Sequence, residues 1–358
     1  MNKRTERLVE SLKKEDLPAM LVTDAKNRRY LSGFTGSAGA CLVTQDEAYF
    51  MTDFRYTEQA AEEAPDFEVV TYEKGLLDEL AGILDELDVN KVGFEASCVT
   101  YQRYSKFTEE IDNVEWEPTT ELVEQLRQIK DDDELNRIRR AAEIADEAFD
   151  EILPSVRPGR KESEVALDFE FCMRRLGAEG LSFPMITASG VRSSMPHGRA
   201  SDKVIGEGEF VTFDYGATYS GYCSDATRTI ITGEPTDKQR EVYETVLKAQ
   251  KAAVDSIKPG MTGREVDSVA RDIIEDAGYG DNFGHGLGHG LGLAVHEGPS
   301  LSQKRGDTEL KPGMVVTVEP GIYIAEWGGV RIEDLIVVTE EGVRILTSPT
   351  KELVVQKG

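Results

Sequence analysis

The chain contains the same structural unit twice, and this duplication constrains its fold more than any other feature of the sequence. The segment Val156-Arg-Pro-Gly159 recurs as Ile257-Lys-Pro-Gly260, and a helical pattern follows each copy. Further along, an apolar strand that ends in an acid at Asp214 recurs as a similar strand that ends in an acid at Glu319. We therefore expect two similar halves that are related by a pseudo-twofold axis.

The repeated hairpin carries two acids in each half. In the first half the chain passes through Asp214 and a glycine-bearing turn into a strand that carries Asp225, and in the second half Glu319 and Glu333 take these places. A single hairpin of this kind is more typical of a turn acid followed by a solvated strand acid, and it is the repeat that favours a metal site. Four carboxylates around one axis would not all ionise without cations between them. The repeat therefore predicts a site for two divalent ions, and so many oxygen ligands favour hard metals.

The histidines are concentrated in a glycine-rich segment. Three of the four histidines of the chain lie between residues 282 and 299, as His285, His289 and His296. The fourth, His197, lies at the position of the first half that corresponds to His296. So many glycines indicate that the backbone approaches a ligand closely. We expect His197 and His296 to flank the metal site and His289 to be a direct ligand.

Composition limits the possible partners and the compartment. The chain has 358 residues and a formal net charge of −26, without a basic cluster, so nucleic acids and anionic membranes are poor partners. No apolar run approaches the roughly 18 residues that a membrane span requires. The four cysteines are scattered, which favours reduced thiols. We expect a cytoplasmic protein.

The first third of the chain alternates between helical and strand patterns, which predicts a small α/β domain without a recognisable catalytic group of residues. The segment Glu-Pro-Thr-Thr at 117–120 separates it from the repeated part. We therefore place an N-terminal domain at residues 1–122 and a catalytic domain at residues 123–358.

Three motifs of the repeated part resemble a known family. They are His-Gly-Leu-Gly-His-Gly-Leu-Gly at 285–292, Val-Glu-Pro-Gly-Ile-Tyr at 318–323 and Val-Arg-Ile-Glu-Asp at 330–334, and together with the order of the acids they resemble the pita-bread metallopeptidases. Residues 27–37 and 53–56 are similar to the N-terminal domain of the Xaa-Pro peptidases of that family. The resemblance implies a two-domain α/β protein: a small α/β N-terminal domain is followed by a pita-bread α+β catalytic domain with an internal pseudo-twofold repeat. It also implies a homodimer.

The resemblance implies a complete set of metal ligands. Asp214 would bind the first metal, Asp225 and Glu333 would bridge both metals, and His289 and Glu319 would complete the second. Members of this family commonly use manganese or cobalt. Oxygen ligands with a single imidazole suit manganese, and zinc is a further alternative.

The resemblance also implies the catalytic roles. Glu319 would move the proton of the attacking water, which the two metals activate, and His296 would stabilise the oxyanion. His197 and His285 would contact the scissile peptide or the proline side of the substrate.

Two further residues are expected to support the ligands. They are Tyr323 and Arg331, and Arg331 lies two residues from Glu333 on a predicted strand and hence on the same face. The alternative for Arg331 is a solvated cation on a surface strand.

These residues indicate hydrolysis of the peptide bond before proline in short peptides, as by an Xaa-Pro dipeptidase. The alternative is an aminopeptidase P, which releases the N-terminal residue from longer Xaa-Pro peptides. An aminopeptidase of the same fold with little proline preference is also open. Creatinase-like enzymes and non-catalytic pita-bread binding proteins typically lack the full ligand set that is present here.

One departure from the family bears on substrate length. Some prolidases carry an arginine shortly after the His-Glu-x-Pro segment, and it is taken to hold the carboxylate of the dipeptide. Here Ser300 follows Pro299, which weakens the case for strict dipeptidase action. It does not remove that case, since Arg331 or His197 could bind the carboxylate instead.

Overall fold

The computed structural model describes residues 1–356 and contains two compact units, Met1–Arg127 and Gln128–Gly358. The helix Leu122–Arg127 lies wholly in the first unit, whereas the sequence analysis places its residues 123–127 in the catalytic domain.

The first unit is an α/β domain with a six-stranded sheet. Its elements are α1 (Lys3–Lys14), β1 (Ala19–Val22), α2 (Ala25–Ser32), β2 (Ala40–Thr44), β3 (Ala48–Thr52), α3 (Thr57–Glu63), β4 (Glu68–Thr71), α4 (Leu76–Glu86), β5 (Lys91–Glu95), α5 (Tyr101–Glu110), β6 (Glu115–Thr119) and α6 (Leu122–Arg127). The strand order is β4-β3-β2-β1-β5-β6. Strand β1 is buried along its whole length, because it lies in the middle of the sheet and its four residues are all apolar.

The second unit is α+β. Its elements are α7 (Asp132–Ile152), α8 (Glu162–Arg175), β7 (Gly180–Leu181), β8 (Ile186–Ser189), β9 (Glu209–Tyr215), β10 (Ala217–Tyr219), β11 (Tyr222–Cys223), β12 (Ala226–Thr232), α9 (Asp237–Ser256), α10 (Gly263–Asp276), β13 (Gly288–Gly290), β14 (Glu297–Leu301), β15 (Val315–Val318), β16 (Gly321–Ile324), β17 (Gly328–Arg331), β18 (Asp334–Val338), β19 (Val343–Ile345) and β20 (Val355–Gln356). Capping boxes fix the start of α7, α9 and α10, through Asp131, Thr236 and Thr262.

The duplicated sequence forms two corresponding sheets. One has the order β20-β12-β9-β8, and the other has the order β14-β13-β15-β18-β19. In each sheet an antiparallel pair, β9 with β12 or β15 with β18, carries the duplicated hairpin. The two sheets meet at an isolated bridge between Thr227 and Glu333. This bridge brings the acids of the two halves together.

Each sheet has its own helical layer. Phe149 of α7 stacks on Tyr215 of β9 with ring centroids 5.2 Å apart, and Phe169 of α8 packs into the same cluster. On the second sheet, Val246 of α9 and Ile336 of β18 belong to one buried apolar cluster. Because these apolar layers hold the strands rigidly, polar residues at the strand ends have fixed positions.

Candidate active site

One cavity in the second unit is lined by most of the candidate site residues that the repeat and the motifs predict. It has a volume of about 910 Å³. The predicted site residues that line it are His197, Asp214, Asp225, His285, His289, His296, Glu319, Arg331 and Glu333. Tyr323 contacts two of these, His285 and Arg331, through its hydroxyl group.

The four acids lie at equivalent ends of the duplicated strands. Asp214 is near the end of β9, and Glu319 follows β15 by one residue. Asp225 and Glu333 lie one residue before β12 and β18, although the sequence analysis places them on the returning strand itself. The difference arises because the returning chain forms short separate strands, β11 and β17, before it joins the main sheets.

Three of the predicted ligands form a compact cluster. Ligand atoms of Asp225, His289 and Glu333 lie within 4.8 Å of one another. His289 Nε2 is 3.6 Å from Asp225 Oδ2 and 3.5 Å from Glu319 Oε1. His289 Nδ1 lies 3.0 Å from the carbonyl oxygen of Gly290, which only accepts, so Nδ1 carries the ring proton. In this neutral tautomer the lone pair of Nε2 faces carboxylate oxygens, an arrangement that a cation would stabilise.

Several carboxylate oxygens of the cluster lack a donor. Among the described residues, Asp214 Oδ1, Asp225 Oδ1 and Glu333 Oε1 are buried without a hydrogen-bond partner. An unsatisfied buried acceptor costs about 1–3 kcal/mol. Burial, and then the neighbouring negative charges, raise the pKa of Asp225 and of Glu333 well above their ordinary values. Burial also raises the pKa of Glu319. These residues therefore fit a divalent metal centre, whose cations would coordinate the unsatisfied oxygens.

Arg331 and Thr227 donate hydrogen bonds to the second carboxylate oxygen of Asp214 and of Glu333, respectively. Arg331 donates from Nη2 to Asp214 Oδ2 at 2.7 Å and from Nε to Thr227 Oγ1 at 3.0 Å. Thr227 then donates to Glu333 Oε2 at 2.7 Å. In Asp214 and Glu333, one oxygen is thus fixed by the protein while the other has no partner. Arg331 is almost fully buried, so it is not a solvated surface cation.

Two threonines of the site were missed by the sequence analysis. Thr317 donates to Glu319 Oε1 at 3.2 Å and accepts from the backbone N–H of His289 at 3.0 Å. Thr227, described above, is the second. Each is two residues from a predicted ligand acid, Glu319 or Asp225, and this period-two spacing is the signal that would have found them.

His285 has both ring nitrogens engaged within the protein. Nδ1 lies 2.8 Å from the carbonyl oxygen of Gly286, and Nε2 lies 2.9 Å from Tyr323 Oη. Since Arg331 donates to the same Tyr323 oxygen at 2.8 Å, the tyrosine proton points to His285 Nε2. His285 is therefore neutral with its proton on Nδ1. Its burial lowers the pKa of the ring, which favours the same state.

The other two histidines face the cavity. The His296 ring lies 4.3 Å from the ring of His289, centroid to centroid, and burial lowers the pKa of His296. His197 is exposed and lines the cavity. The cavity also has an apolar wall near these histidines, formed by Phe183, Pro184, Ile186, Pro196 and Val295.

Two buried carboxylates hold the loops of the site, and neither was identified from the sequence. Glu162 on α8 accepts hydrogen bonds from Ser189, Arg192 and Ser201, which flank His197 along the chain. Asp267 on α10 accepts hydrogen bonds from the N–H of Leu287 and from the side chains of Arg271 and Gln303. Their spacing in the sequence carries no recognisable motif, because most of their partners lie 20 or more residues away along the chain.

Within residues 1–356, no helix combines the length and the apolar character needed to cross a membrane.

Comparison with known proteins gives matches over nearly the whole chain. Residues 136–340 match metallopeptidase family M24, and residues 4–129 match the creatinase/prolidase N-terminal domain. The solved Xaa-Pro dipeptidase from Bacillus anthracis is 51% identical, with a TM-score of 0.96 over 99% of each chain. The Xaa-Pro dipeptidase of Pyrococcus furiosus is 42% identical over 99% of this chain and 100% of its own length. The solved X-Pro aminopeptidase from Thermotoga maritima MSB8 is 40% identical, with a TM-score of 0.92 over 99% of this chain and 100% of that chain.

These matches confirm the predicted fold class, a small N-terminal α/β domain followed by a pita-bread catalytic domain. They also confirm the resemblance to the Xaa-Pro peptidases. The chain belongs to metallopeptidase family M24.

Proposed function

We propose that this protein is a metal-dependent Xaa-Pro dipeptidase, which hydrolyses the peptide bond before proline in short peptides. The observation that carries the proposal is the set of unsatisfied carboxylate oxygens around His289, next to an apolar wall in the same cavity. Proteins named Xaa-Pro dipeptidases, similar to this chain over its full length, support the substrate class.

We propose that two divalent ions occupy the cluster, most favourably manganese, with cobalt and zinc as alternatives. The residues that would hold them are Asp214, Asp225, His289, Glu319 and Glu333. When bound, such ions supply Lewis acidity and lower the pKa of water.

The residues of the chain then have distinct tasks. The Glu319 carboxyl group, whose pKa is raised by burial, would hold and pass on the proton of the attacking water. His296, beside His289 in the cavity wall, would donate to the carbonyl oxygen as it gains negative charge. His197 is exposed in the cavity and would contact the peptide. His285 holds the Tyr323 hydroxyl in place by the hydrogen bond described above.

The apolar wall would select proline at the second position. A proline ring is rigid and its imino nitrogen has no N–H, so recognition depends on shape and apolar contact. Pro196 is itself held by Arg331, whose Nη1 donates to its carbonyl oxygen at 3.3 Å. The proline-binding wall and the metal cluster are thus linked by one arginine.

An aminopeptidase P is the second candidate. The similarity to the Thermotoga maritima X-Pro aminopeptidase and the serine at position 300 favour it.

We further propose a cytoplasmic homodimer, by similarity to the prolidases. Light scattering at micromolar concentration should give twice the mass of one chain, and the mass of a monomer would contradict the dimer.

The test compares two substrates on protein from which metals have been removed by a chelator. An Xaa-Pro dipeptide and an Xaa-Pro-Xaa tripeptide are each assayed with and without manganese. Manganese-dependent cleavage of the dipeptide alone supports the dipeptidase. Equal or faster cleavage of the tripeptide supports the aminopeptidase P. Absence of cleavage with manganese, cobalt and zinc would refute both.

A further inference from the structure

A buried ion pair adjoins His296 in the chain. Lys130 Nζ donates to Glu297 Oε1 at 3.0 Å, and the two side chains are only 1% and 6% exposed. Glu297 directly follows His296 and is the first residue of β14. The His296 ring lines the cavity, whereas the Glu297 carboxylate is buried against Lys130. The pair thus holds the chain at the point where it presents His296.

The ammonium group of Lys130 has a fixed position in the second unit. The backbone N–H of Lys130 donates to the carbonyl oxygen of Gly313 at 3.0 Å, and Ile129 forms a β-bridge with Met314, directly before β15. The Nζ atom also lies 3.4 Å from the carbonyl oxygen of Gln128. Since both ends of the lysine are held, Glu297 binds to a cation with little freedom to move.

Glu297 closes the segment that connects His289 with His296. Its backbone pairs with Gly290, so that β14 returns beside β13. Its second carboxylate oxygen, Oε2, accepts from the N–H of Ala294 at 3.4 Å. The rings of His289 and His296 lie 4.3 Å apart, centroid to centroid. Their relative position therefore depends on how this segment closes.

Two glycines of the histidine motif leave room for this closure. A Cβ atom at Gly292 would collide with Glu297 Oε1 and would lie 3.2 Å from Lys130 Cε. A Cβ atom at Gly290 would collide with the carbonyl oxygen of Gly298. The sequence analysis attributes the glycines to a close ligand. At these two positions the close neighbour is the protein itself, and at Gly292 it is the ion pair.

We propose that Lys130 and Glu297 are positioning residues, which set the place of His296 beside His289. This inference rests on the proposed function, in which His296 donates to the carbonyl oxygen as that oxygen gains charge. A buried carboxylate stays on its buried cation, because separation would leave both charges uncompensated. The oxygen gains its charge only in the transition state, so a displaced His296 should lower kcat rather than raise KM.

The first test is an NMR measurement on metal-free protein, which requires no activity. The chain has four histidines, so isotope-labelled histidine gives four ring signals, which are assigned by replacing each histidine in turn. In Lys130→Met and in Glu297→Gln we expect the signals of His289 and His296 to shift. The signal of His285, which is held by other contacts, should stay in place.

A third variant tests the same device while both charges are kept. Gly292→Ala places a methyl group against the ion pair, so it should shift the signals of His289 and His296 as well. The matched control changes an exposed ion pair of the same unit, Lys251 with Glu352 at 2.9 Å. Lys251→Met and Glu352→Gln should leave the ring signals as in the wild type.

The second test is kinetic and uses manganese-supplemented protein with an Xaa-Pro dipeptide. For Lys130→Met and Glu297→Gln we expect kcat to fall about tenfold or more, as is typical when a group that orients a site is lost. KM should change by less than about twofold, because the substrate itself loses no contact. The control variants should keep both constants.

A double variant covers the case in which the single variants do not fold. Lys130→Met with Glu297→Met leaves no buried charge uncompensated, so it should fold, and the signals of His289 and His296 should still be shifted. Unchanged signals of both histidines in the folded variants would overturn the inference, whatever their Tm. If the wild-type protein cleaves no peptide, the proposed function is refuted, and the NMR signals alone decide whether the pair positions His296.

Discussion

Arg331 binds one oxygen of Asp214 and leaves the other without a partner. The 2.7 Å bond from Nη2 to Asp214 Oδ2 fixes the carboxylate, and Asp214 Oδ1 remains buried without a hydrogen bond. Because one arginine also holds Tyr323 and Thr227, it sets the orientation of several groups around the cluster. We infer that Arg331 prepares the site for metal before any metal is present.

Replacement of Arg331 by methionine should therefore weaken metal binding. We expect the Kd for manganese to rise about tenfold or more, because groups that orient ligands contribute 10–100-fold to metal affinity. Calorimetric titration of metal-free protein gives the Kd directly. Arg344→Met, which removes an exposed arginine on β19, is the matched control. An unchanged Kd in Arg331→Met would contradict the orienting role.

Neutralising Asp225 should have opposite effects on the metal-free and the metal-loaded protein. Its carboxylate is buried beside other acids, so Asp225→Asn should raise the Tm of metal-free protein at pH 8 by a few degrees. The same variant should lose the increase in Tm that manganese produces in the wild type. Thermal unfolding with and without manganese measures both effects. Asp255→Asn, at an exposed position, should change neither.

Glu162→Gln should destabilise the protein and disturb the loop that carries His197. Glu162 Oε1 accepts two bonds from Ser189, and Oε2 accepts bonds from Arg192 and Ser201, so an amide nitrogen at either position leaves donors unsatisfied. We expect the free energy of unfolding in urea to fall by about 2–4 kcal/mol.

The control for this change lies on the same helix. Glu164→Gln keeps the side-chain oxygen that caps α8 at Lys161, since glutamine also serves in a capping box. Its unfolding free energy should stay within about 0.5 kcal/mol of the wild type. Equal stabilities of the two variants would show that the bonds of Glu162 contribute little.

Asp146 lies outside the active site, and its buried carboxyl group should make the stability of the protein depend on pH. Burial raises its pKa from 3.8 to about 7 in the folded protein, where its Oδ2 accepts two bonds from Ser348. Between about pH 4 and 7 the folded state therefore keeps a proton that the unfolded chain has lost. The stabilisation by this group is complete below pH 4 and is lost as the pH rises through 7.

Asp146→Asn should remove this loss, because the amide stays neutral. The variant should gain about 1–3 kcal/mol relative to wild type between pH 5 and pH 8, as measured by urea unfolding at both values. Asp150→Asn, an exposed acid on the same helix, should show a much smaller difference. If the two variants respond equally to pH, Asp146 is ionised in the folded protein at pH 5.

The sequence by itself determined the fold class and the positions of the ligand residues. The repeat located Asp214, Asp225, Glu319 and Glu333, because duplicated strands place equivalent residues at equivalent ends. The glycine-rich segment located His289. These are local properties, since strand periodicity and turn chemistry depend on neighbours along the chain. That the five residues bind metal stays a prediction.

Only the tertiary structure decided which atoms of these residues have partners. Thr227 reaches Glu333 and Arg331 reaches Asp214 across more than a hundred residues, between sheets of different halves. The proton position on His285 depends in turn on Tyr323 and Arg331. Gln303 binds the buried Asp267 across 36 residues of sequence. Such contacts arise when separate elements pack together, and no local pattern in the sequence records them.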